Sequence, residues 1–189
     1  MSFHRRRLPH WYPDGKALFL TWHLHGSLPH GLYPPPNKAS SGQAFVWMDR
    51  YLDTVRKGPM FLRQGAVAQL VKDSLYKGEQ LEHYELHAWV VMANHVHALL
   101  TPRIAPGRFI ASLKGATARA ANKLLRRTGE PFWQAESYDR WVRNEDEFFK
   151  IRSYIEQNPV KAGLVTEPTT FRWSSAYERL DESRRCSHE

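Results

Sequence analysis

Residues 90–102, VVMANHVHALLTP, set His95 and His97 around a single valine in a run that is otherwise mostly apolar. The preceding HYELHAWVVMA (residues 83–93) reads as one strand and HVHALLT (95–101) as a second, with Ala93-Asn94 as the corner of a tight hairpin. Side chains alternate faces along a strand, so His95 and His97 project together while Val96, Ala98 and Leu100 point the other way. Two neutral imidazoles so placed can hold one divalent cation and leave positions open for water or a phosphate oxygen. Two half-exposed histidines that only hydrogen-bond fit the same pattern. Trp22-His23-Leu24-His25 repeats it on another predicted strand, so the pattern alone does not decide which pair is a ligand.

Working outward, KALFLTWHLHG (residues 16–26) alternates as a strand. The Pro-, Gly- and Ser-rich segment after it reads as a loop, with a short polyproline stretch at Pro34-Pro35-Pro36, and AFVWMDRYLDTV (44–55) as a short helix. Together they make 29–60 a loop-rich insertion. AVAQLVKDSLYKG (66–78) has helical spacing with Gly78 as its stop. GRFIASLKGATARAANKLLRRTG (107–129) predicts a helix with Phe109, Leu113, Ala116, Ala120 and Leu124 as its apolar stripe and Gly129 as its end. PFWQAESYDRWVR (131–143) predicts a strand with an irregular start. Asn144 and Glu147 cap a further helix that Asn158-Pro159 ends, since a residue before proline is pushed out of the α region. The order β, α, β, β, α, β, α predicts a ferredoxin-like α+β fold. One antiparallel sheet would carry two helices on one face, with an additional C-terminal helix.

The 189 residues are expected to form a single domain, 1–189, burying roughly 70% of the unfolded chain's surface. No apolar run reaches the roughly 18 residues of a membrane span, and the charged N-terminus lacks the apolar stretch of a signal peptide, so no membrane association and a cytoplasmic location are expected. The single cysteine, Cys186, excludes a disulfide framework within one chain. The net charge of +8 points to a polyanion partner. Residues 101–129 contain seven basic residues and no acidic one. Arg108, Arg119, Lys123 and Arg126 share one flank of the predicted helix, Lys114 sits away from it, and Arg5-Arg6-Arg7 form a second basic cluster.

A further motif is SYIEQNPVKAGLV (153–165), where Tyr154 and Asn158 lie four apart and share a helical face. A phenol is a poor nucleophile unless a cation or base activates it, and an asparagine oxygen suits a hard cation. Packing for Tyr154 and a helix cap for Asn158 would serve equally well on these residues alone. NHVHALL, followed by FWQAESYDRWVR and YIEQNPVKAGLV, resembles the REP-associated tyrosine transposases. These belong to the single-tyrosine HUH transposases of bacterial insertion sequences. The resemblance covers most of the chain; Ala93 stands where proline is common.

The resemblance implies that His95 and His97 are metal ligands, that Tyr154 is the nucleophile and that Asn158 is a polar third ligand one turn later. It gives His23 and His25 little weight and sets Tyr138 behind Tyr154. The implied activity is Mg²⁺- or Mn²⁺-dependent cleavage and rejoining of single-stranded DNA at hairpin-forming palindromic repeats, through a 5′-phosphotyrosine, by a monomer or homodimer. Arg5, Arg6, Arg7, Arg108, Lys114, Arg119, Lys123 and Arg126 are the expected DNA contacts. Lys150, one turn before Tyr154, is read as offsetting phosphate or phenolate charge. The competing readings are a non-cleaving palindrome-binding relative, a ferredoxin-like RNA-binding module and a two-histidine metallohydrolase.

Overall fold

The computed structural model describes residues 15–28, 41–55 and 57–186. Arg5-Arg6-Arg7 and the polyproline stretch lie outside these. Four strands, β1 (Leu18–His23), β2 (Tyr84–Val91), β3 (His95–Pro102) and β4 (Tyr138–Trp141), form one sheet in the order β2-β3-β1-β4. Every neighbouring pair is antiparallel. This is the ferredoxin-like α+β arrangement that the element order predicts. The hairpin turns at 92–95, closed by the Met92 N–H donating to the His95 carbonyl at 2.9 Å.

The sheet separates two cores. Val96, Ala98 and Leu100 of β3 pack with α2 (Gly65–Gln80) and α3 (Pro106–Leu124). Leu99, Phe19, Ala88 and Val90 pack with α1 (Ser41–Thr54) and α4 (Glu145–Lys161). The period-2 alternation of β3 thus serves two cores at once, which is why its first six residues are all buried. Each large apolar side chain so buried contributes about 1.5–3 kcal/mol against exposure.

Four local readings are corrected. α2 runs through Gly78 to Gln80, because Gly78 is buried under the Tyr84 ring, whose hydroxyl would stand 2.2 Å from a Cβ there. The core side of α3 is Phe109, Ile110, Leu113, Thr117 and Ala121, with Leu124 exposed. Thr117 enters the core because its hydroxyl donates to the Leu113 carbonyl and accepts from Trp133 Nε1 at 2.8 Å. α3 stops at Leu124 rather than near Gly129; Arg126, at φ 56°, turns the chain.

α4 passes through Pro159 to Lys161. Its end is a Schellman cap: Gly163, at φ 68°, donates to the Val160 carbonyl and Leu164 to that of Pro159, both at 2.9 Å. Burial of Asn158 and Pro159 against the sheet overrides the local bias before proline.

Past α4, α5 (Ser175–Cys186) and the segment before it, for which the sequence reading offered no element, lie along the edge of β2. Trp173 accepts from Val91 N–H at 2.9 Å, and Ser175 Oγ accepts from Trp89 N–H at 3.1 Å.

Candidate active site

The two histidines lie on the α1/α4 side of the sheet. His97 stands opposite Thr21 and His95 opposite His23 in the β1–β3 register, and both rings are fully buried, 4.7 Å apart between centroids. Each has its Nδ1 occupied. Asn94 Nδ2 donates to the Leu52 carbonyl at 3.0 Å, which turns Asn94 Oδ1 toward His95, 2.7 Å from Nδ1. An amide oxygen only accepts, so Nδ1 of His95 carries the proton and Nε2 presents a lone pair. Thr21 Oγ1 lies 2.7 Å from His97 Nδ1.

What faces the Nε2 atoms comes from α1. Asp49 Oδ1 is 2.9 Å from His97 Nε2 and 4.0 Å from that of His95, and Asp53 Oδ1 is 3.6 Å from His95 Nε2. From α4, Asn158 Nδ2 reaches His97 Nε2 at 3.3 Å. A half-turn of that amide would present Oδ1 instead. Burial and the neighbouring His97 push the His95 imidazole down to about 3, so it is neutral. Burial alone would raise Asp49, yet His97, with His95 and Lys161 adding to it, holds this carboxyl below its ordinary range. Burial and the charge of Asp49 push Asp53 up to about 7.

The donor set fits a divalent cation. Asp53 Oδ1, His95 Nε2 and Asn158 Oδ1 are buried without a hydrogen-bond partner, and the one polar neighbour within reach of Asp49 Oδ1 among the described residues is His97 Nε2 at 2.9 Å. Two carboxylates facing an imidazole lone pair in a dry site repel one another unless a cation or proton stands between them. Asp49, His95 and His97 can each offer one ligand atom, all within 4.8 Å of one another. Mixed nitrogen and oxygen donors of this kind suit a hard or borderline ion.

α4 also brings Tyr154 to the cluster. Its ring centroid is 5.9 Å from that of His97, and Phe19 and Phe45 flank it edge-on at 6.2 Å each. Tyr154 and Asn158 therefore meet His97 from one helix face, as their spacing predicts. Tyr138 is stacked on Phe45 at 4.4 Å, and burial raises its phenol. The ammonium over the Tyr154 ring belongs to Lys161, 4.2 Å from the centroid; Lys150 is exposed a turn earlier on α4.

Other site expectations fall elsewhere. Arg108, Arg119, Lys123 and Arg126 are exposed on or just beyond α3, hence across the sheet from His95 and His97. Lys114 does not join them: its ammonium donates to the carbonyls of Gln134 and Ala135 at 2.7 and 2.9 Å, tying down the approach to β4. His23 is buried beside the cluster with Nδ1 on Leu24 O and Ser27 Oγ. The sequence reading missed Asp49, Asp53 and Asn94. The signal for the first two was an acidic pair four apart within the apolar AFVWMDRYLDTV.

Comparison with known proteins agrees with this architecture. The family described as IS200-like transposases matches residues 39–158, more than half of the chain, a span that takes in both histidines, Tyr154 and Asn158. No curated protein sequence matches. Among solved structures, a REP-associated tyrosine transposase bound to a REP hairpin superposes with a TM-score of 0.60 at 20% identity, covering 97% of this chain and 87% of that one. A proposed transposase from Deinococcus radiodurans is a looser likeness, at a TM-score of 0.44 and 22% identity, over 82% of this chain and 97% of that one. With the family matched across the whole histidine–tyrosine constellation, the chain belongs to the IS200-like transposases.

Proposed function

We propose that this transposase nicks and rejoins single-stranded DNA at hairpin-forming palindromic repeats, with Tyr154 as nucleophile. The observation that carries the reading is the meeting of Tyr154 and Asn158, from one face of α4, with His97 in the buried trio Asp49, His95 and His97. His95, His97 and Asp49 would hold Mg²⁺ or Mn²⁺, with the Asn158 amide oxygen as a further donor. When bound, such an ion supplies Lewis-acid polarisation of the scissile phosphate.

The Tyr154 phenol oxygen attacks phosphorus as its proton leaves. The bond from phosphorus to the 3′ oxygen breaks, and that oxygen takes up a proton to become a free 3′-OH. The product is a 5′-phosphotyrosyl link. Attack by another 3′-OH reverses the step and joins strands without a nucleotide cofactor. Thr21 and Asn94 fix the imidazoles, while Phe19 and Phe45 hold the phenol ring. Tyr154 lies beside His97 of its own chain, which supports an active site completed within one protomer. The exposed arginines and lysine of α3 would hold the duplex backbone away from the cut. No helix among the described residues is long and apolar enough to cross a membrane, in keeping with action in the cytoplasm.

The test incubates the protein with labelled hairpin DNA carrying single-stranded flanks and Mn²⁺. Label should migrate with denatured protein, survive in Tyr138→Phe and vanish in Tyr154→Phe or with EDTA. Label retained by Tyr154→Phe would refute the assignment of the nucleophile.

A further inference from the structure

A pocket of about 480 Å³ opens directly beside the histidine–carboxylate cluster. This lies within the size range of small-ligand sites, about 300–1,000 Å³. His95 and Asp53 form its inner wall, Met60 and Met92 supply apolar surface, and Lys161 and Leu164 form the side contributed by the end of α4. The Schellman cap fixes that side, since Gly163 turns the chain so that Lys161 and Leu164 both border the same hollow. Lys161 thus touches two places at once. Its ammonium lies over the Tyr154 ring, and it stands in the wall of the pocket that reaches His95.

Lys161 is exposed and makes no ion pair among the described residues, although its charge acts on both Asp49 and Asp53. A phosphodiester entering this pocket would meet the carboxyl of Asp53 in its wall. It needs a cation near Tyr154, and the Lys161 ammonium over that ring supplies one. Met60 and Met92 offer adaptable, polarisable surface of the kind that accepts a flat ring.

Resting on the nicking function proposed above, the geometry points to this pocket as the seat of the unpaired nucleotide at the cleaved junction, with Lys161 binding its phosphate beside Tyr154. Lys161 is then a catalytic residue that contacts substrate, and Leu164 sets the room left for the base.

The experiment has two readouts on the full chain. The first is equilibrium binding of a fluorescein-labelled, unpaired tetranucleotide across a salt series without divalent ion. The second is the rate of covalent adduct formation with hairpin DNA and Mn²⁺. Lys161→Met should weaken tetranucleotide binding roughly tenfold and slow adduct formation at least as much. It should also flatten the slope of log affinity against log salt by about 0.7, the value for one lost single-strand phosphate contact. Lys161→Arg should restore the salt slope. Leu164→Trp, at an exposed position that tolerates bulk, should weaken binding with an unchanged slope. Unaltered binding and slope in Lys161→Met overturn the phosphate contact, and unaltered binding in Leu164→Trp overturns the pocket. If the unsubstituted protein forms no adduct but its tetranucleotide binding depends on Lys161 and Leu164 as stated, the nicking function fails and the nucleotide site stands.

Discussion

Asn94 sets the tautomer of His95, because its amide nitrogen is committed to the Leu52 carbonyl and only its oxygen is left to meet Nδ1. The last turn of α1 thereby controls which nitrogen of His95 looks into the cluster. Asn94→Ala should fold, leave the strands paired and lower Mn²⁺ affinity by about 10–100-fold, the usual cost of losing a group that orients a ligand. Calorimetric titration with Mn²⁺ measures it; an affinity within a factor of about two of the parent would mean that the ring holds its orientation unaided.

Asp49 distinguishes a metal site from a merely strained one. Its carboxylate is buried 2.9 Å from His97 Nε2 and is held below its ordinary range, so Asp49→Asn should cost the metal-free protein some stability as well as a ligand. Mn²⁺ at about 100 times its dissociation constant should stabilise the parent by roughly 2.7 kcal/mol, and the variant by far less. Thermal melts with and without Mn²⁺ give both values. Equal stabilisation of the two proteins would remove Asp49 from the ligand set.

Gly78 is required by shape, since the Tyr84 hydroxyl that fills its place donates to the Leu75 carbonyl at 2.8 Å. Gly78→Ala would improve helix propensity in an open helix. Here it should cost about 1–3 kcal/mol by overpacking, read from urea unfolding. Tyr84→Phe combined with Gly78→Ala should recover little, because the ring carbons at 2.6 and 2.8 Å still collide with the new Cβ.

His87 gives the fold an acid-sensitive edge away from the histidine cluster. Burial lowers its imidazole below the ordinary 6.5, with Nε2 2.7 Å from Thr101 Oγ1. Below pH 6.5 and above the folded value, the unfolded chain binds more protons than the folded one, so stability rises with pH in that window. The contribution is complete above 6.5 and is lost as pH falls through the folded value. His87→Gln should flatten the change in unfolding free energy between about pH 7.5 and about pH 5. An identical slope in parent and variant would assign the acid sensitivity to other groups.

The α3 flank offers a separate electrostatic measurement. Replacing Arg119 and Arg126 together by glutamine should flatten the salt dependence of hairpin binding by about 0.9 per lost duplex contact. Tetranucleotide binding should be unaffected, because these residues lie across the sheet from the pocket. An unchanged slope for the hairpin would mark a solvated helix face.

What the chain shows in one dimension follows from how local each feature is. The His95–His97 pair and the Tyr154–Asn158 pair each sit on one element, so strand and helix periods suffice to align them. Asp49 completes the cluster from an element far away in sequence. On paper, its position beside Asp53 in AFVWMDRYLDTV cannot be told from a solvated acidic stripe. Lys161 was obscured by Pro159. A helix ended at Asn158 leaves Lys150 as the lysine nearest the tyrosine, whereas one more turn brings Lys161 over the ring. The α3 stripe was misplaced because alanines at 116 and 120 look more apolar than Thr117. Only the partner indole of Trp133 makes that threonine a core residue.

The strap over β2 has a consequence for solution behaviour. Three outward N–H groups of that strand are already taken, by Glu79 at Leu86, by Ser175 at Trp89 and by Trp173 at Val91. At the other rim, β4 is four residues long. One border of the sheet is sealed and the other is a stub, so a second chain finds little template on which to extend the sheet. Both rims of the sheet are thus protected from fibril growth.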